Sequence, residues 1–155
     1  VQLGPIAWQV YAGDDARLTI RDSTINEIGI FGKNAAVVVD HCVLQLAVLA
    51  ALGSGSSLEI ANSETWNQSI EAASDASVAI ANSNVYGSLL NARDAASAIA
   101  ISGGTFQANP AGCTQDTMVN ISTGQPQCNP FRPPGLPQRT GPGKITCVAT
   151  AGCTF

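Results

Sequence analysis

Five segments of the chain line up on one pattern: GDDARLTI (Gly13 to Ile20), GKNAAVVV (Gly32 to Val39), GSGSSLEI (Gly53 to Ile60), ASDASVAI (Ala73 to Ile80) and RDAASAIAI (Arg93 to Ile101, one residue longer). Each is a small polar turn followed by an alternating apolar stretch. With the first inward apolar residue as the mark, Leu18, Val37, Leu58, Val78 and Ile99 recur at intervals of 19, 21, 20 and 21 residues. A unit of about 20 residues cannot bury an apolar face alone, so its copies must stack on one another.

Further apolar columns run through the repeats. Two residues after the mark stand Ile20, Val39, Ile60, Ile80 and Ile101; seven after it stand Ile25, Leu44, Thr65, Val85 and Phe106. The stretches LTI, VVV, LEI, VAI and AIAI alternate with period two and are rich in β-branched residues, which selects strands over helices. A later apolar group recurs at Ile28 and Ile30, Val48 and Leu49, Ile70, and Leu89 and Leu90, with Trp8 and Val10 in the corresponding place of the incomplete first repeat. The expected unit is a coil of two or three short strands, each pairing in parallel with its equivalent one turn along. An ordinary β-sandwich would instead show hairpin signals and irregular spacing.

The bends repeat as well. Four residues after the mark stand Asp22, His41, Asn62, Asn82 and Gly103, followed by Ser23, Cys42, Ser63, Ser83 and Gly104. Asn and Ser at a bend can hydrogen-bond from rung to rung and satisfy backbone groups that a tight corner leaves unpaired, so Asn62, Asn82, Ser63 and Ser83 are the expected ladder. With this column, residues 6 to 110 resemble the right-handed parallel β-helix (pectin-lyase-like) superfamily, which includes pectin lyases, phage tailspikes and many surface proteins. The resemblance implies an all-β, single-stranded right-handed parallel β-helix over residues 1–110. It implies no single activity, because that fold carries enzymes and structural rods alike. About six rungs at roughly 4.8 Å each make a rod on the order of 25–30 Å long, with fewer coils than polysaccharide lyases and hydrolases of this fold usually have.

From Pro110 onward the period stops, and the chain there holds four of its five cysteines and seven of its eight prolines. Residues 111–155 are therefore expected to form an irregular extension that caps the last rungs, since a solenoid end exposes unpaired strand edges. Cys113, Cys128, Cys147 and Cys153, spaced by 15, 19 and 6, match no tetrahedral zinc pattern. Two disulfides are the expectation. Of three connectivities, proximity favours Cys113–Cys128 and Cys147–Cys153, each worth about 2–3 kcal/mol, and the implied compartment is extracellular or the cell surface. The remaining Cys42 is expected to be a free, inward, unreactive thiol, because His41, its neighbour on the strand, points to the opposite side. Pro130 to Pro137 reads as polyproline II. Asn67-Gln68-Ser69 and Asn120-Ile121-Ser122 are glycosylation triplets if the source is eukaryotic and secreted.

Charge narrows the partners. Only 12% of residues are charged, against about 25% in ordinary domains, and the net charge is −4. Such a chain offers no basic surface for nucleic acid or an anionic membrane. The longest apolar run, Val43 to Leu52, is interrupted by Gln45 and is about half the length of a membrane-spanning helix. A soluble chain is expected. The start at Val1, with neither Met nor a signal segment ahead of it, suggests a mature or excised piece.

Outward positions of the first strand in each repeat supply the candidate site. Arg21, Asp40 and Glu59 lie on successive rungs of one face, and a carboxylate pair beside an arginine suits acid–base chemistry on a glycosidic bond or proton abstraction beside a uronic carboxylate. The plainer reading is a cross-strand ion pair on a solvated face, worth about 0–1 kcal/mol. Further along, Ala61, Ala79, Ala81 and Ala100 form an alanine floor that invites a cover, for which Phe131 or Leu136 of the tail are candidates. Asp14 and Asp15, the one adjacent acidic pair, fall in a turn where Asp suits the geometry. A single His and no acidic cluster argue against a metal, and no phosphate-loop, nucleophile-elbow or dinucleotide motif calls for a cofactor. Thr19, Thr24, Thr65 and Thr105 do not form an ice-binding rank. Among the aromatics, Trp8, Tyr11, Trp66 and Tyr86 are too few for an obvious sugar-stacking platform, and Trp66 and Tyr86 are expected inside the coil or at its corner. The expected function is a secreted or cell-surface structural and interaction module with a polysaccharide, a protein or its own copies as partner. A carbohydrate-active domain of lyase, hydrolase or epimerase type, using Arg21, Asp40 and Glu59, is the second class.

Overall fold

The computed structural model describes residues 9–45, 48–66, 69–86, 89–107 and 138–148. Every regular element among them is a strand. Strand β1 (Gln9–Ala12) precedes a turn made of β2 (Arg17–Arg21), β3 (Thr24–Ile25) and β4 (Glu27–Ile30). The next is β5 (Ala36–Asp40), β6 (Val43–Gln45) and β7 (Val48–Ala51), followed by β8 (Ser57–Ala61), β9 (Glu64–Trp66) and β10 (Ser69–Ala72). A fourth turn comprises β11 (Ser77–Ala81), β12 (Asn84–Tyr86) and β13 (Leu89–Ala92). Then come β14 (Ala98–Ser102) and β15 (Thr105–Gln107), and later β16 (Gln138–Thr140) and β17 (Lys144–Val148).

The strands stack into three wholly parallel sheets: sheet A in the order β1-β4-β7-β10-β13-β16, sheet B in the order β17-β14-β11-β8-β5-β2, and sheet C in the order β15-β12-β9-β6-β3. The chain is a parallel β-solenoid of about 4 turns with roughly 21 residues per rung, close to the spacing of the sequence marks. Those marks pair in register, Leu18 with Val37, Val37 with Leu58, Leu58 with Val78 and Val78 with Ile99. In sheet C, Ile25 pairs with Leu44, Leu44 with Thr65 and Thr65 with Val85. Sheet A stacks Val10, Ile28, Leu49, Ile70 and Leu90. These columns meet inside the coil, where Ile20, Ile25, Leu44, Leu58, Ile60, Ile80 and Leu90 are among the fully buried side chains. Each contributes about 1.5–3 kcal/mol by leaving water.

Part of the proline-rich segment joins this ladder. β16 pairs with β13 and β17 with β14, setting Ile145 beside Ile99 and Cys147 beside Ile101. Residues 138–148 thus extend sheets A and B beyond the boundary at 110 drawn from the period. The repeat pattern misses them because Ile145 follows Ile99 by 46 residues (145 − 99). That interval breaks the 20-residue spacing while the strand KITCV keeps its alternation.

The corner between sheets B and C is regular. Asp22, His41, Asn62, Asn82 and Gly103 have positive φ of 50°, 53°, 49°, 49° and 62°, a left-handed conformation that Asn, Asp and Gly tolerate best. This residue turns its side chain outward, and the one after it turns inward: Ser23, Cys42, Ser63 and Ser83 are buried. Ser63 Oγ accepts from the Cys42 N–H at 3.0 Å, and Ser83 Oγ accepts from the Ser63 N–H at 3.0 Å. Each hydroxyl in turn donates to the carbonyl two residues back, Ser63 to Ala61 at 2.6 Å and Ser83 to Ala81 at 2.8 Å. The buried rung-to-rung bonds therefore belong to Ser63 and Ser83, whereas Asn62 and Asn82 are exposed. Asn62 Nδ2 reaches across the outside to Asp40 Oδ1 at 2.9 Å. The ladder expected of all four residues divides between the inside and the outside of the arch.

The corner between sheets A and B also bends through left-handed residues, Asp15, Asn34, Gly55, Ser74 and Asp75, but its turns are tied together differently. A Cβ on Gly32 would lie 1.9 Å from the Gly13 carbonyl carbon, and one on Gly53 would lie 2.1 Å from the Gly32 oxygen, so backbone rests directly on backbone there. Carboxylates pin this corner from outside. Asp14 Oδ1 accepts from the Lys33 N–H at 2.8 Å, and Asp94 Oδ2 accepts from the Ser74 N–H at 2.5 Å. No helix among the described residues is long and apolar enough to cross a membrane.

Candidate functional site

The alternation outward, inward, outward at the B–C corner creates a trough. His41, Asn62 and Asn82 form one outward column, and Val43, Glu64 and Asn84, the first residues of the sheet C strands, form the next. Between them run Cys42 and Ser63, whose side chains turn into the coil. The result is an open groove of about 520 Å³ running along the stack. Successive rungs are about 4.8 Å apart, so the groove presents amide, imidazole and carboxylate groups at a regular interval. The Asn amides supply both donors and acceptors, and the Glu carboxylate acceptors.

Asp40 borders this groove and collects three donors. His41 Nδ1 stands 2.9 Å from Oδ1, Asn62 Nδ2 donates to the same oxygen at 2.9 Å, and Arg21 Nε lies 3.5 Å from Oδ2. The Asn62 hydrogen bond above all, with His41 and Arg21 adding to it, holds the Asp40 carboxyl below the usual carboxylate range. A carboxylate so stabilised is a poor proton acceptor at neutral pH.

Of the three residues singled out for catalysis, the fold therefore brings two together. Arg21 and Asp40 are register partners. Glu59 stands in the neighbouring outward column, paired with Val38 and Ala79, and takes part in none of the ion pairs among the described residues. Of the four alanines, Ala79 and Ala100 are exposed and Ala61 and Ala81 partly so. The described tail residues lengthen their sheet through β14 and β17, and Phe131 and Leu136 lie outside the described residues. So do Cys113, Cys128, Cys153, Trp8, Asn67 and Asn120, together with the side chains of Cys147, Trp66, Tyr86 and Phe106. The disulfide expectation falls on those positions. Cys42 is buried, its thiol 3.3 Å from the Asp40 carbonyl, and burial pushes its pKa up. Among the described residues no group of three or more His, Cys, Asp and Glu is placed to hold a metal ion.

Glu64 and Asn84 escaped the sequence reading. They sit one position before the inward column Thr65 and Val85, so listing the residue ahead of each inward mark in sheet C would have found them. The arrangement defines a class: a parallel β-solenoid with a polar groove along one corner. Set against protein families, curated proteins and solved structures, the chain matches none.

Proposed function

We propose that this chain is a structural and interaction module, secreted or displayed at a cell surface, whose corner groove binds an extended polysaccharide. It would be a short right-handed coil of the pectin-lyase-like kind. The observation that carries this reading is the groove itself: lined by His41, Asn62 and Asn82 on one side and by Glu64 and Asn84 beside Val43 on the other, and repeating at the rung spacing, it suits a chain of hydroxyl-bearing units. The saturated state of Asp40 favours binding over turnover, since a low-pKa carboxylate held by three donors serves geometry better than proton transfer. The four cysteines of the tail support an oxidising location.

The test is incubation of the purified chain with neutral and acidic polysaccharides, with retention and newly formed chain ends assayed in the same tubes. Retention without new ends is the expected result. Asn84→Ala and Glu64→Gln should each weaken retention several-fold, in line with about 0.5–1.5 kcal/mol per hydrogen bond. The second reading, a carbohydrate-active domain, is favoured by the Arg21–Asp40 contact alone. New chain ends that disappear in Asp40→Asn would establish it and overturn the binding module.

A further inference from the structure

Two exposed aromatic rings lie together on sheet A, away from the groove. Tyr11, in β1, is 53% exposed and Phe31, just after β4, is 58% exposed. Their ring centroids are 5.7 Å apart with planes tilted by 43°. Beneath them is Gly29, the register partner of Tyr11. A Cβ at Gly29 would stand 2.5 Å from Phe31 Cε2 and 2.9 Å from Tyr11 Cδ1, so the rings lie down on the sheet only because that position has no side chain.

The edge of this platform is polar and fixed. Tyr11 Oη donates to Glu27 Oε1 at 3.2 Å, and Gln9 Nε2 donates to Glu27 Oε2 at 2.6 Å. One carboxylate thus anchors the tyrosine ring and still has lone pairs to offer. Large apolar faces held in water beside a placed acceptor are the makings of a ligand site.

We propose that Tyr11 and Phe31 over Gly29 form a stacking subsite for a neutral pyranose, with Glu27 accepting from the sugar hydroxyls. The carbon-bound hydrogens of a pyranose face give it an apolar side that matches the rings, and its equatorial hydroxyls reach the rim. Charge selects the occupant: Glu27 at the rim and the net charge of −4 oppose a uronic acid. The subsite lies on sheet A and does not depend on the corner groove.

The experiment is isothermal titration of the full chain with cellohexaose, maltohexaose and hexagalacturonate. At least one neutral hexamer should bind, and Phe31→Ala should weaken it about tenfold. Gly29→Ala should weaken it similarly while leaving the melting temperature within about 2 °C, because its Cβ displaces only the free ends of two surface side chains. In Asn84→Ala, which alters the groove, the part of the binding that Phe31→Ala weakens should remain, so failure here is distinguishable from failure of the groove. Absence of binding by both neutral hexamers, affinity indifferent to Phe31→Ala, or equal affinity for hexagalacturonate would overturn the proposal. Self-association abolished by Phe31→Ala with no effect on sugar would overturn it in favour of a second copy as occupant.

Discussion

The two corners of the coil both bend through left-handed residues but tie their turns together in opposite places. Between sheets B and C the chain reverses on a single left-handed residue, and the buried Ser63 and Ser83 hydroxyls tie each turn to the next from inside. Between sheets A and B the backbones touch at Gly13, Gly32 and Gly53, and the ties come from carboxylates on the outside, Asp14 and Asp94. The inner ties hold one register turn after turn without drawing on the outward positions beside them. That is why the groove lies at the B–C corner. The outer ties occupy the surface of their corner and leave its side chains less available for a ligand.

Three substitutions probe that contrast. The largest effect is expected from Gly32→Ala, whose Cβ meets the Gly13 and Asp14 backbone at 1.9–2.2 Å; two coils must part, at a cost of about 3 kcal/mol, read by urea unfolding. A neutral result would mean that the A–B corner is loosely stacked. Next comes Ser63→Ala, which leaves the buried Cys42 N–H without its acceptor and should cost about 1–3 kcal/mol. Loss of less than a few tenths would show that the inner ties are dispensable and that the corners do not differ in kind.

The smallest effect is a pH dependence at the A–B corner. Hydrogen bonding to Ser97, then the Ser74 and Ala96 amides, hold the Asp94 carboxyl below its ordinary 3.8. A depressed native pKa contributes stability that is present above the unfolded value and lost as pH falls through the folded one. Asp94→Asn should therefore lower stability at pH 7 and flatten the decline of the melting temperature below about pH 4. Ser63→Ala should leave that decline unchanged, since no titrating group is involved. Matching acid profiles for wild type and Asp94→Asn would remove the carboxylate's role at this corner.

How much was legible in the sequence follows the same division. Columns such as Leu18–Val37–Leu58–Val78–Ile99 could be read because a parallel coil repeats its inward residues at nearly constant spacing. Strands β16 and β17 could not, because the interval before them breaks the period. Arg21 and Asp40 were placed together by counting, since both lie in the same outward column. Glu59 was set with them on the same face, but it follows its mark by one residue, as Val38 does, where Arg21 and Asp40 follow theirs by three, so it pairs with Val38 in the neighbouring column. The groove was missed for a different reason: Glu64 and Asn84 acquire meaning only when the inward turn of Ser63 separates them from Asn62 and Asn82. The Tyr11–Phe31 platform required knowing that Gly29 lies beneath both rings.

Side-chain amide resonances of Asn62, Asn82 and Asn84 test the central claim most directly. They would be followed by nitrogen-15 NMR as oligosaccharides from the best-retained polysaccharide are titrated into the labelled chain. The account predicts that these three amides shift together, saturably and with a common dissociation constant. Binding that leaves all three unmoved would place the ligand elsewhere on the coil and contradict the assignment of the groove as its functional surface.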